Sequence, residues 1–188
     1  MSDETQPVPL DQPLVWIDLE MTGLDPARDR IVEIAVIITD GALERWEEGP
    51  DLVVATPDAA LDAMDEVVVQ MHRASGLTDA IRSATMTVAQ AEAQVLQFVT
   101  THVPAARTAP LAGNSVHADR AFLQRYMPAL EAYVHYRNVD VSTVKELARR
   151  WYPEIVETAP KKAGGHRALA DIRESIEEMR FWRSAIFK

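Results

Sequence analysis

The sequence predicts an α/β fold: a mixed five-stranded sheet with helices packed on it. Three observations lead there. Strand-like runs fill residues 14–55 before any helical pattern begins, and a run rich in β-branched residues, 30–39, ends at Asp40-Gly41, a strong tight-hairpin signal. After Thr87, helical and strand patterns alternate to the C-terminus. A chain of 188 residues without cysteine is long enough to bury a real core in one domain without disulfide staples.

The elements follow in order. Residues 14–17 (Leu-Val-Trp-Ile) are apolar on both parities, as in a strand covered on both faces, and Asp18 and Glu20 come at the end of that strand. The strand at 30–39 follows. A third strand is expected in two pieces, 43–46 and 52–55, interrupted by an acidic turn at Glu47-Glu48-Gly49-Pro50. Leu61, Met64, Val67, Val68 and Met71 recur near a 3.6-residue period, which predicts a helix from Ala59 to about Ser75-Gly76. Thr87-Val88-Ala89-Gln90 reads as a capping box opening a second helix with Ala91, Val95, Phe98 and Val99 on its apolar stripe.

A short strand at 108–112 runs into Gly113-Asn114. A helix from about Val116 carries Phe122, Leu123 and Tyr126, and Pro128 limits or restarts it. Another short strand is expected at 137–141, then a helix capped by Ser142 or Thr143 with Leu147 and Trp151, ending before Pro153. Residues 153–165 read as a loop. The last helix begins near Arg167 and sends Leu169, Ile172, Ile176, Met179 and Phe181 to the core.

Composition narrows the function. A formal charge of −10 argues against a broad basic surface that holds long nucleic acid by counterion release, but leaves a short nucleotide ligand open. No apolar run approaches the ~20 residues of a membrane helix. The absence of cysteine suits a reducing compartment, and the polar, acidic start Met1-Ser2-Asp3-Glu4 lacks the features of a signal peptide, so a cytoplasmic location is expected. Residues 1–9 are expected to be a flexible N-terminus and 10–188 one domain.

Three groups of residues carry candidate chemistry. Asp18 and Glu20 are two apart in a strand, so they project from one face. Two carboxylates there either form a solvated strand edge or need a cation, and hard divalent ions suit oxygen ligands. Asp119 lies in the first turn of a helix that follows a strand, where an acid either complements the helix dipole or reaches a ligand. His166 and Asp171 would lie about 140° apart on a helix, but Gly164-Gly165 allow His166 to stay on the preceding loop and fold back. Alternatively, Asp171 belongs to the polar face with Glu174, Ser175 and Glu178.

In this order, Asp18-x-Glu20, Asp119 and His166-x-x-x-x-Asp171 resemble the DEDDh signature of 3′→5′ exonucleases with a ribonuclease H-like fold. The segments 16–25, 113–115, 135–137, 140–143, 145–151 and 166–175 resemble the oligoribonuclease branch of that family. The resemblance implies two divalent metal ions, Mg²⁺ or Mn²⁺, held by Asp18, Glu20, Asp119 and Asp171, with His166 as general base. It implies that Leu24 wedges between two bases, that Ser115 lies near the substrate, and that His72 caps the 5′ phosphate with Tyr136, Arg137 and Ser142. Those last three would come from the other subunit of a homodimer. The implied substrates are very short RNAs, dinucleotides such as pGpG above all, released as 5′-mononucleotides in the final step of RNA turnover. Many relatives carry a stacking tryptophan after Met-Asp-Glu, whereas Met64-Asp65-Glu66 is followed here by Val67. A DNA exonuclease on the same fold and a non-catalytic nucleotide-binding protein are the competing readings.

Overall fold

The computed structural model describes residues 9–160 and 164–187. The N-terminal residues 1–8, expected to be flexible, and Lys161 and Lys162 in the expected loop lie outside the described residues. A five-stranded sheet in the order β3-β2-β1-β4-β5 forms the centre. Its strands are β1 (Leu14–Met21), β2 (Ile31–Thr39), β3 (Trp46–Val53), β4 (Pro110–Gly113) and β5 (His135–Asp140). β2 is antiparallel to β1 and to β3, whereas β4 is parallel to β1 and to β5. The strand order therefore reverses beside β1, and the carboxyl ends of β1 and β4 open a crevice of the kind that binds ligands in α/β sheets.

Alternation along β1 sorts the two faces. Val15, Ile17 and Leu19 join a core with Ala91, Val95 and Val99 of α4 (Val88–His102), Phe122 and Leu123 of α5 (His117–Tyr126), and Leu130 of α6 (Pro128–Tyr133). Trp16 joins a second core with Val141 and Ala148 of α7 (Val141–Trp151) and with Ala168, Ile172, Ile176 and Trp182 of α9 (Ala168–Ile186). Asp18 and Glu20 share the parity of Trp16, so they face α9. All nine residues of β2 are buried, one of them the carboxylate Glu33.

Several elements differ from their sequence reading. β3 runs unbroken through Glu47-Glu48-Gly49-Pro50. It is an edge strand, where a proline costs no ladder bond, and a register shift opposite Ala35 and Ile37 absorbs the extra residue. Gly49 is required for close approach, since a Cβ there would sit 2.5 Å from the Phe98 ring. The expected helix from Ala59 is three short ones: α1 (Asp58–Asp62), α2 (Glu66–Ala74) and α3 (Leu77–Ser83). The first ends at Asp62 with Ala63 as its C-cap, extended Asp65 starts the second, and Gly76 at φ 74° turns the chain between the second and third.

The capping box at Thr87 and Gln90 is present, and Pro128 restarts the chain as α6. α7 is capped by Asp140 rather than by Ser142 or Thr143. Its apolar stripe runs through Val141, Val144 and Ala148, leaving Leu147 and Trp151 exposed. The expected loop at 153–165 contains one helical turn, α8 (Pro153–Val156). In α9, Trp182 is fully buried and Phe181 only partly so.

Candidate active site

The acidic groups gather where β1 ends. Glu20 is buried, and it meets His166 and Asp171 so that one ligand atom from each lies within 4.8 Å of the other two. His166 sits at φ 47° on the loop before α9, as the glycine pair allows, while Asp171 occupies the first turn and its N–H donates to the Arg167 carbonyl at 3.0 Å. The fold thus brings the two ends of the His166-x-x-x-x-Asp171 motif together. Asp18, half-buried, lies two residues before Glu20 on the same face.

Asp119 approaches from the α5 side. Its Oδ1 accepts the Leu19 N–H at 3.0 Å, which ties the start of α5 to β1. Burial pushes its carboxyl up to about 7; the hydrogen bonds from backbone N–H groups oppose that rise, and the charges of Glu20 and Asp140 add to it. Gly113 makes the approach possible, because a Cβ there would lie 3.1 Å from the Ile17 carbonyl. The donor set of carboxylates with one imidazole fits hard divalent cations.

His72 is 1% exposed, with Nε2 3.6 Å from Glu20 Oε2 and Nδ1 without a hydrogen-bond partner among the described residues. Its neighbour in the structure is therefore a carboxylate of the acidic cluster. Ser115, at φ 59°, donates its N–H to Asp140 Oδ1 at 3.0 Å and its hydroxyl to Ser142 Oγ at 3.2 Å. Ser142 returns to the same Asp140 oxygen through its N–H and its hydroxyl, at 2.9 and 2.6 Å. Ser142 thus stands beside Ser115 of its own chain because Asp140 binds both. A cleft of about 590 Å³ opens there, lined by Asn114, Ser142, Thr143 and Lys145 among others.

Leu24 is 81% exposed at the tip of the loop between β1 and β2. The loop beneath it is braced: Asp29 accepts the Asp25 N–H at 2.9 Å, and the Tyr126 hydroxyl donates to the Asp29 carbonyl at 2.7 Å. Tyr136 is 70% exposed on the edge strand β5, and the Arg137 guanidinium stands 5.3 Å from its ring centroid. Val67 on α2 is also exposed, at 69%.

Two organising residues were not singled out from sequence. Asp140 lies in the segment 140–143, and the preference of Asp for helix N-caps is its sequence signal. Arg120, next to Asp119, is buried and donates to the His135 carbonyl at 2.6 Å, to the Tyr136 carbonyl at 3.0 Å and to the Arg137 carbonyl at 3.3 Å. A lone arginine in a helix gives no sequence sign of that role.

Comparison with known proteins first defines a class. A family model described as "Exonuclease" matches residues 15–179. Solved structures of exonuclease I share the fold: the Escherichia coli enzyme in complex with single-stranded DNA has a TM-score of 0.73 at 15% identity. The Methylocaldum szegediense enzyme has 0.68 at 21%. Each match covers 94% of this chain and 41% of the exonuclease I chain. Within that class, the oligoribonuclease of Halorhodospira halophila is 58% identical over 170 residues, 90% of this chain and 92% of its own. That of Rhodococcus jostii is 55% identical over 174 residues, 93% and 87%. The mitochondrial oligoribonuclease of Bos taurus is 55% identical over 177 residues, 94% and 74%. The chain belongs to the oligoribonuclease family of exonucleases.

Proposed function

We propose that this chain, as one domain over residues 10–188, is a metal-dependent 3′→5′ exoribonuclease that hydrolyses RNAs of two to a few nucleotides to 5′-mononucleotides. The observation that carries the reading is the meeting of Glu20, His166 and Asp171 at the end of β1, with Asp119 hydrogen-bonded to the same strand.

Asp18, Glu20, Asp119 and Asp171 would hold two divalent ions, Mg²⁺ or Mn²⁺, whose chemistry when bound is to clamp the attacking and leaving oxygens of an in-line displacement. His166 takes the proton of the attacking water on a ring nitrogen as the oxygen–phosphorus bond forms. The bond from phosphorus to the 3′ oxygen breaks, that oxygen takes a proton from solvent to become a 3′ hydroxyl, and the terminal nucleotide leaves with a 5′ phosphate. Leu24 separates the two bases, Ser115 lies near the substrate, and His72 caps the 5′ phosphate. Tyr136, Arg137 and Ser142 of a second copy close the pocket, which limits substrate length; exposed Tyr136 on an edge strand supports that homodimer, as do exposed Leu147 and Trp151. Long nucleic acid is not a substrate, in keeping with the charge of −10. Among the described residues no helix is long and apolar enough to cross a membrane. A cytoplasmic location agrees with the absence of cysteine.

The test is hydrolysis of pGpG, its deoxy counterpart and longer RNAs by purified protein with Mg²⁺ or Mn²⁺, and with both removed by chelation. Metal-dependent cleavage of pGpG in preference to the others is expected. Intact pGpG alongside degraded long RNA overturns the short-substrate reading, and preference for the deoxy dinucleotide overturns the RNA one.

A further inference from the structure

The most deeply placed carboxylate of the sheet is not in the acidic cluster. Glu33, in the middle of the molecule on β2, has no exposed surface and pairs directly across from Glu20 in the β1–β2 register. Directly opposed residues of antiparallel strands project on one face, so the Glu33 side chain stands next to that of Glu20. A carboxylate this desolvated costs several kcal/mol unless charged and hydrogen-bonding partners offset it.

Its partners are the two residues that join His166 to α9. Glu33 Oε1 accepts from Arg167 Nε at 2.8 Å and lies 2.7 Å from Arg167 Nη2. Oε2 accepts the Ala168 N–H at 3.0 Å. The N-cap residue of α9, Arg167, supplies no side-chain cap, so a strand residue far away in sequence does for this helix what Ser or Asp does from the N-cap position. Asp51 and Glu20 also act on the Arg167 charge, after Glu33 itself.

The two glycines before His166 lie in open space. A Cβ added at Gly164 or Gly165 would meet nothing within 4 Å among the described residues. His166 itself sits at φ 47°, a conformation a residue with a side chain keeps only when its surroundings impose it. On its C-terminal side the bonds from Arg167 and Ala168 to Glu33 supply such a surrounding.

We propose that Glu33 is a positioning residue: through Arg167 and the first amide of α9 it fixes His166 and Asp171 against Glu20. The inference deepens the proposed reaction and rests on His166 acting in it. Glu33→Gln preserves shape while removing the charge that draws both partners. In metal-free protein, amide exchange over residues 164–171 is expected to rise about tenfold or more while β2 and the second half of α9 stay protected. On pGpG, kcat is expected to fall about tenfold to a hundredfold with KM unchanged, because small misplacements of a reacting group carry costs of that size. In single-turnover assays, adding Glu33→Gln to His166→Ala should cost clearly less than Glu33→Gln costs in the wild type, since the share that acts through His166 is already lost.

Unchanged kcat, faster exchange spread evenly over α9 and the sheet, or fully additive losses would each overturn the proposal. If Glu33→Gln does not fold, Arg167→Ala at the more exposed end of the pair carries the same three measurements, with losses about three times smaller expected. No change in that variant overturns the proposal too. A wild-type protein that cleaves no dinucleotide overturns the proposed reaction alone, because exchange over 164–171 is read without substrate.

Discussion

The two halves of the site are built differently. The acidic half comes from regular structure: Asp18 and Glu20 from the central strand, Asp119 from a helix hydrogen-bonded to that strand, and Asp171 from the first turn of α9. The outer half, with Leu24, Tyr136 and Val67, is exposed and comes from a loop tip, an edge strand and a short helix. Reacting groups need positions fixed to fractions of an ångström, which a packed core supplies. Groups that grip a flexible substrate need area, and under the proposed function they would acquire it on binding substrate or a second copy.

The sharpest way to test that division is Asp119→Asn. The amide can still accept the Leu19 N–H, so the fold is expected to hold while turnover of pGpG drops about a thousandfold. The variant also has a pH signature. In metal-free protein the folded state keeps Asp119 protonated until about pH 7, whereas an unfolded chain releases that proton near 3.9. The stability this group contributes is therefore fully present below its unfolded pKa and is lost as pH rises through 7. Asparagine cannot ionise, so thermal melts in chelator are expected to show the variant gaining on the wild type from pH 5 to 9, by several degrees. A gap that does not change with pH would place Asp119 in a wetter setting than the fold shows.

The same division explains what was legible in the sequence. Strand parity put Asp18 and Glu20 on one face, and Gly164-Gly165 marked a place where His166 turns back, because those signals are local. Resemblance supplied what spacing left open, the joining of these residues with Asp119. Non-local contacts stayed hidden. Glu33 looks like one polar residue in an apolar strand until Arg167 is folded onto it, and Arg120 like any helix arginine until β5 lies beside it. The break in the 59–75 helix was missed because apolar period continues across Met64 and Val67 while the backbone at Asp65 does not. β3 was read as broken because Gly49-Pro50 signals a turn wherever an edge strand is not known to be one.

At the rim, Tyr136→Ala is expected to lower kcat/KM for pGpG about thirtyfold, in keeping with loss of one stacked or anchoring aromatic, while leaving the metal dependence of the residual activity unchanged. Sedimentation should show a weaker dimer in the same variant. If turnover falls but assembly does not, Tyr136 serves the pocket of its own chain and the exposed edge of β5 needs another explanation. If neither changes, the outer half is smaller than the exposed aromatics suggest.

The smallest expected effect is a gain. Val67 is 69% exposed on α2, whose His72 reaches Glu20, so α2 stands at the boundary between the two halves. A flat ring there would offer a base a stacking partner, and stacking on an aromatic contributes about 1–3 kcal/mol. Valine presents only its methyl groups. Val67→Trp is therefore expected to lower KM for pGpG about fivefold to tenfold, with kcat within about twofold of wild type, since binding gained equally in ground and transition states does not speed the chemical step. Steady-state kinetics on one dinucleotide decide it. Were kcat to change as much as KM, α2 would be transmitting its surface contact to Glu20 through His72, and the boundary between a rigid reacting half and an adaptable gripping half would have to be moved inward by one helix.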